Sequence, residues 1–249
     1  MQVYVAELHT HTVLSPCAEI EMIPPFIVQA ALEKGISLLA VTDHNASANV
    51  GAVMKAAEGT PLAVLPGMEV QTREEVHMLC LFDTLAQLEA WQGEVDAHLP
   101  DQENNAELFG EQFVVDETGE FIRREDRLLL TSADIGLEDA VARVTALGGL
   151  AIPAHIDRRA FSLIANLGMV PPDVPFAALE ITRRCTPEQA RRQYIGADRF
   201  PIVQSGDVHR LDEMLGATML TMRAPTIAEM QLAFNNRENR ALTLRGGVI

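Results

Sequence analysis

Short apolar runs alternate along this chain with longer amphipathic stretches. The runs are Val3–Leu8, Ile36–Val41, Leu62–Leu65, Val76–Phe82, Leu150–Pro153, Ala177–Ile181, Ile202–Val203 and Thr218–Met222. Between them lie the amphipathic stretches Pro24–Lys34, Asn49–Glu58, Leu85–Leu99 and Leu137–Leu147. Strands alternating with helices predict βαβ units and an α/β fold. The punctuation agrees. Pro24 and Pro25 suit a first helical turn, where the missing N–H has no helical partner to lose, and Gly35 and Gly148 suit helix C-termini. Segment Gln102–Leu130 breaks the rhythm. It is polar, and "FVVDETGEFIRRE" predicts two short strands joined by a turn at Glu117–Gly119, an insertion or lid-like excursion.

A chain of 249 residues holds one large α/β domain or two small ones. Without an internal repeat, low-complexity tract or linker, a single domain over residues 1–249 is expected, with the insertion at about 102–130. The hydrophobic share of 48%, with nine Phe, two Tyr and one Trp, predicts an aliphatic core. No apolar run is long enough to span a bilayer, and the amino terminus lacks the pattern of a secretion signal. Three scattered cysteines, Cys17, Cys80 and Cys185, do not make a disulfide framework, so a cytoplasmic protein with reduced thiols is expected. The net charge of −16 repels a phosphate backbone, which disfavours long nucleic acid as a partner and leaves room for a small anion held by metals.

The candidate chemistry follows the strand ends. Val3–Leu8 leads into His9 and His11, and Ile36–Val41 into Asp43 and His44. Leu62–Leu65 is followed by Gly67 and Glu69, and His77 opens the next run. Leu150–Pro153 ends at His155, and Ile202–Val203 leads to Asp207 and His209. In an α/β barrel the C-terminal edge of the strands is where active sites assemble. On an extended strand His9 and His11 point to the same side, so both imidazoles can bind one ion. Imidazole, carboxylate and an occasional thiolate suit Zn, Mn or Fe, and Glu69 has two oxygens with which to bridge two ions.

The blocks "HTH", "TDH" and "GDVH", with Glu69 and His155 between them, resemble those of the PHP (polymerase and histidinol phosphatase) family of metal-dependent phosphoesterases. They run from residue 9 to residue 209 in the family's order. The resemblance implies a distorted seven-stranded (βα), TIM-like barrel with two or three divalent metals at its C-terminal face. It also implies that His9, His11, Glu69 and Asp207 form one metal site. Glu69, His77 and His155 then form a second, with Glu69 bridging, and His44 and His209 belong to a third. Relatives commonly complete that third site with histidine or aspartate, and the matching position here is Cys17. Asp43 fits a residue that orients a histidine better than a ligand. Arg158, in "AHIDRR", stands where members with phosphatase activity often carry a phosphate-contacting arginine.

The implied activity is hydrolysis of a small phosphomonoester by metal-activated water, on a nucleotide, sugar or amino-alcohol phosphate. A nuclease or proofreading module is a second reading, which the acidic balance and the lack of attached polymerase or helix-hairpin-helix segments oppose. A non-catalytic metal-binding or regulatory domain is a third, opposed by the complete ligand set. A serine or cysteine hydrolase lacks its G-x-S-x-G elbow. Arg183 and Arg184 are expected to be solvated, Cys80 to pack in a strand, and His98 to lie at the surface near a helix end. Cys185 is assigned no role.

Overall fold

The computed structural model describes residues 1–245. In chain order the first elements are β1 (Gln2–Thr10), α1 (Pro24–Glu33), β2 (Leu38–Val41), α2 (Val50–Ala56), β3 (Ala63–Gln71), β4 (His77–Leu81) and α3 (Leu85–His98). A short α4 (Ala106–Phe109) and the strands β5 (Phe113–Val115) and β6 (Phe121–Arg124) follow. Then come α5 (Leu137–Ala146), β7 (Leu150–Pro153), α6 (Leu163–Leu167), β8 (Leu179–Ile181), α7 (Pro187–Gln193) and β9 (Ile202–Gln204). The last are β10 (Thr218–Met222), α8 (Ile227–Phe234) and β11 (Ala241–Leu244). Among the described residues no helix is long and apolar enough to cross a membrane.

Local chemistry explains the boundaries. Pro24 and Pro25 open α1, and Gly35 and Gly148 adopt φ of +70° and +79° just beyond α1 and α5, a conformation open to glycine without steric cost. Thr84 caps α3 with Gln87 answering it across the first turn. β5 and β6 form the expected hairpin, its turn held by Asp116, which accepts the N–H of Thr118 and of Glu120 on its side chain.

Seven strands hydrogen-bond in the order β11-β10-β1-β2-β3-β4-β7 and form one curled sheet of an α/β fold. β1, β2 and β3 are parallel, whereas β4 runs antiparallel to both β3 and β7, and β10 runs antiparallel to β1. β8 and β9 form a separate parallel pair. Backbone bonds join this pair to both sides: Ile156 N–H donates to Glu180 O, and Val208 N–H donates to His9 O while His11 N–H donates to Val208 O. The strand directions therefore depart from the all-parallel ring of a TIM barrel.

One expectation is corrected. The run Leu62–Leu65 does not end before Glu69, because β3 continues to Gln71 and carries Glu69 inside it. His77 opens β4 as expected, and the antiparallel sense of that strand brings it to the edge where β1 and β2 end.

Alternation across the sheet makes two cores. Ala6, Leu8, Leu38, Ala40, Leu79 and Leu81 pack on one side, while Leu39, Val41, Met78, Cys80 and Trp91 pack with the helices on the other. Cys80 is fully buried packing, as expected, and burial pushes its thiol up. His98 is the last residue of α3 and half-buried.

Gly67 marks the tightest approach next to the functional edge. A Cβ there would stand 2.9 Å from Leu81 Cδ2, from Thr42 Cγ2 and from the Val41 carbonyl oxygen. Backbone cannot yield as a side chain can, so Gly67→Ala is expected to lower unfolding free energy by about 1–3 kcal/mol in urea titrations. An unchanged denaturation midpoint would show that β2 and β3 are not packed this closely.

Candidate metal centre

Every residue expected to form the site reaches one edge of the sheet. His9 lies in β1 and His11 just beyond it, Asp43 and His44 follow β2, and Glu69 comes from within β3. His77 opens β4, His155 and Arg158 follow β7, and Asp207 and His209 follow β9. Cys17 comes from the loop after β1. His9, His11, Asp43, Glu69 and His155 are almost wholly withdrawn from solvent.

Glu69 is the hub. Its Oε1 lies 3.0 Å from His77 Nδ1, 3.2 Å from His155 Nε2 and 3.3 Å from His9 Nε2. Its Oε2 lies 2.9 Å from His44 Nδ1 and 3.5 Å from His11 Nε2. Asp207 Oδ1 stands 3.2 Å from His9 Nε2 and 3.3 Å from His11 Nε2, and Oδ2 meets Arg158. Cys17 Sγ is 3.0 Å from His209 Nε2. His155 and Asp207 hold φ of +30° and +51°, strained values for residues with side chains, and both aim those side chains at the cluster.

Buried neighbours fix the histidine tautomers. His9 Nδ1–H donates to both oxygens of Glu180 at 3.0 and 3.2 Å, and the same carboxylate accepts the His155 N–H at 3.0 Å. His11 Nδ1–H donates to Ser15 Oγ, whose own hydroxyl donates to Asp43 at 2.7 Å. Asp43 thus reaches the cluster through Ser15 and also accepts from the Thr12 N–H and hydroxyl. With both Nδ1 atoms donating, the Nε2 lone pairs of His9 and His11 face each other at 3.1 Å, beside the acceptor Asp207 Oδ1. Glu69 Oε2 and Asp207 Oδ1 are buried and stand at ion-pair distance from these rings without a well-aligned hydrogen bond. Acceptor atoms converging in a dry site are the arrangement a cation satisfies.

Without an ion, protons take the place that a cation would fill in this cluster. Burial opposes charge on Glu69 and Asp207. Even so, the imidazoles around them, His77, His9 and His44 for Glu69 and His9 and His11 for Asp207, hold both well below the usual carboxylate range. Burial likewise opposes protonation of His9, but Glu180, Asp207 and Glu69 raise it well above a free imidazole. Burial, with positive His209 and His44, drives His11 well below. His44 is raised to about 10 by Glu69 and Cys17 against its burial.

Three sets of ligand atoms lie within 4.8 Å of one another: His9, His11 and Glu69; His44, Glu69 and His77; and His11, His44 and His209. The grouping is tighter than the expected partition, since His11 reaches the third set and His44 the second. Glu180 and Ser15 were not singled out from sequence, although a carboxylate inside the apolar run "AALEI" is a signal of a partnered buried charge. Arg183 and Arg184, expected to be solvated, line a cavity beside the cluster.

Residues 7–157, more than half of the chain, match the family model for the PHP domain. The chain belongs to the PHP family, whose members are metal-dependent hydrolases. No curated protein matches it in sequence. Its fold is similar to that of the lesion-specific endonuclease PfuEndoQ from Pyrococcus furiosus, at 18% identity and a TM-score of 0.69. That match covers 97% of this chain and 58% of the endonuclease, so the chain spans little more than half of that protein's length. An amidohydrolase from Chromobacterium violaceum, with bound sulfate and no metal, matches at 19% identity and a TM-score of 0.57 over 85% of this chain and 89% of its own. PsfC from Pseudomonas syringae matches at 13% identity and a TM-score of 0.55, over 99% and 93%.

Cys17 gives a direct readout of the geometry. Desolvation opposes its ionisation, but hydrogen bonds to His209 and His44 lower its thiol to about 6, while burial pushes Cys185 up to about 11. The thiolate is the nucleophile, so a depressed pKa keeps reactivity above that pH and removes it below. In chelator-treated protein, iodoacetamide should label Cys17 alone, with a rate rising through about pH 6. A midpoint near the free-thiol value of about 8.5 would contradict the Cys17–His209 contact.

Proposed function

We propose that the chain is a metal-dependent phosphoesterase that hydrolyses a small phosphomonoester. The observation that carries this reading is the convergence of lone pairs from His9, His11, Glu69 and Asp207 beside a cavity walled by Arg158. The donor set fits Zn, Mn or Fe. His9, His11, Glu69 and Asp207 would hold one ion, Glu69, His77 and His155 a second, and Cys17, His44 and His209 a third. Such ions supply Lewis acidity toward phosphate oxygens and lower the pKa of water toward neutrality.

The protein's own groups do the positioning. Glu180 fixes the His9 ring and, through the His155 N–H, the start of the loop after β7. Asp43, through Ser15, does the same for His11. Arg158 reaches over Asp207 with its side chain half exposed to the cavity, so its guanidinium is free to exchange the carboxylate for substrate phosphate oxygens. We read the curled sheet together with the β8–β9 pair as a distorted TIM-like barrel, and segment 102–130 as an insertion on a single domain. The thiols fit the cytoplasm: the three cysteines are free, and two of them are buried.

A phosphate-release screen of phosphorylated metabolites with Mn, Zn or Fe supplied tests this directly. Turnover of monoesters is expected, with duplex DNA hardly bound. Arg158→Ala should lose roughly 10–100-fold in kcat/KM while retaining its metal, because a charge-assisted contact to the reacting phosphate is removed. Absence of turnover on any monoester, or tight and steeply salt-dependent DNA binding, would overturn the reading in favour of a nuclease.

A further inference from the structure

The cavity beside the cluster is larger than one phosphate requires, and its lining is rich in arginine. It measures about 1050 Å³, at the upper end of pockets that take a whole drug-sized ligand. Asp207, His209 and Arg158 form the side next to the cluster. Arg159, Arg183, Arg184 and Arg210 line the remainder. Five of the chain's 19 basic residues therefore face one cavity, in a chain with 35 acidic ones.

The partners of these arginines differ. Arg158 meets Asp207, and Arg210 pairs with Glu19 at 2.8 Å. Among the described residues Arg183 donates only to the backbone carbonyl of Glu213, at 2.9 Å, and has no carboxylate partner. Arg159 and Arg184 form no side-chain ion pair among the described residues. The lining carboxylates are already engaged elsewhere. Asp157 accepts the N–H and hydroxyl of Thr182 at 2.9 and 2.6 Å, and Glu213 accepts the N–H groups of His209 and Arg210. Arg159, Arg183 and Arg184 are exposed, and like charges gathered around one cavity repel one another in a protein with carboxylates to spare that could have neutralised them. An anion arriving with the ligand would supply that neutralisation.

We propose that Arg159, Arg183 and Arg184 form a second anion subsite, so that the small substrate carries a second phosphate or carboxylate at the end away from the reacting ester. This rests on the phosphomonoesterase reading. Planar guanidiniums pair with either oxyanion in a bidentate way, so the shared chemistry is a second anionic group.

The test uses the full chain with Mn supplied and two matched pairs of compounds. One is fructose 1,6-bisphosphate against fructose 6-phosphate, and the other is 3-phosphoglycerate against glycerol 3-phosphate. Phosphate release and calorimetric binding are both measured. The doubly anionic member of at least one pair is expected to be favoured by about tenfold or more in kcat/KM, mostly through KM, and to bind correspondingly tighter. A preference in the first pair alone identifies a phosphate, and in the second a carboxylate. The double variant Arg183→Gln/Arg184→Gln, and separately Arg159→Gln, should bring the preference ratio toward one. Equal kcat/KM and affinity within both pairs, or a preference that survives these substitutions, would overturn the subsite. Tighter binding of the doubly anionic member without phosphate release from any compound would support the subsite and remove the phosphomonoesterase reading.

Discussion

One buried carboxylate organises this protein's functional edge. Glu69 is 1% exposed and touches the imidazoles of His9, His11, His44, His77 and His155. A charge of this kind is tolerated in a dry interior only where opposite charge or hydrogen bonds surround it. The five rings come from β1, the loops after β1, β2 and β7, and the first residue of β4, so satisfying Glu69 requires these segments to meet at one place on β3. The close approach of Gly67 to Leu81, Thr42 and Val41 and the antiparallel sense of β4 are the local means by which that happens.

A ring of supporting groups holds this centre in place. Glu180 and the Asp43–Ser15 pair lock two imidazoles with their Nε2 lone pairs inward, and Glu7 accepts the N–H groups of Gly206, Leu215 and Gly216 beneath the loop that carries Asp207 and His209. Burial outweighs those three bonds and lifts Glu7 to about 7. The candidate ligand atoms and the strained backbone at His155 and Asp207 are thus held by packing and hydrogen bonds made elsewhere.

Much of this was legible in the chain, for definite reasons. The runs Leu150–Pro153 and Thr218–Met222 coincide with β7 and β10, since compact apolar runs bounded by glycine or polar residues leave little choice. Most candidate ligand residues were readable because they sit beside strand ends in short polar blocks, Glu69 inside β3 being the exception. Other features were hidden. The apolar run stops at Leu65, yet β3 passes on through Pro66 and Gly67, because the glycine admits its neighbours closely. α6 and α7 are too short to show a helical period. β11 is an edge strand whose half-exposed residues lack a continuous apolar run. The contacts of Glu180 and the placement of Arg183 and Arg184 beside the cluster depend on which loops meet in space, which spacing along the chain does not encode.

The central claim is that converging acceptors around Glu69 and Asp207 hold metal ions. A crystal structure of protein purified without chelator, with anomalous difference maps at the Mn, Fe and Zn edges, tests it most directly. The account predicts peaks at about 2.0–2.3 Å from His9 Nε2, His11 Nε2 and the Glu69 carboxylate, and a further peak between Cys17, His44 and His209. Flat maps, with His9 protonated and bonded directly to Asp207 in folded, active protein, would contradict it.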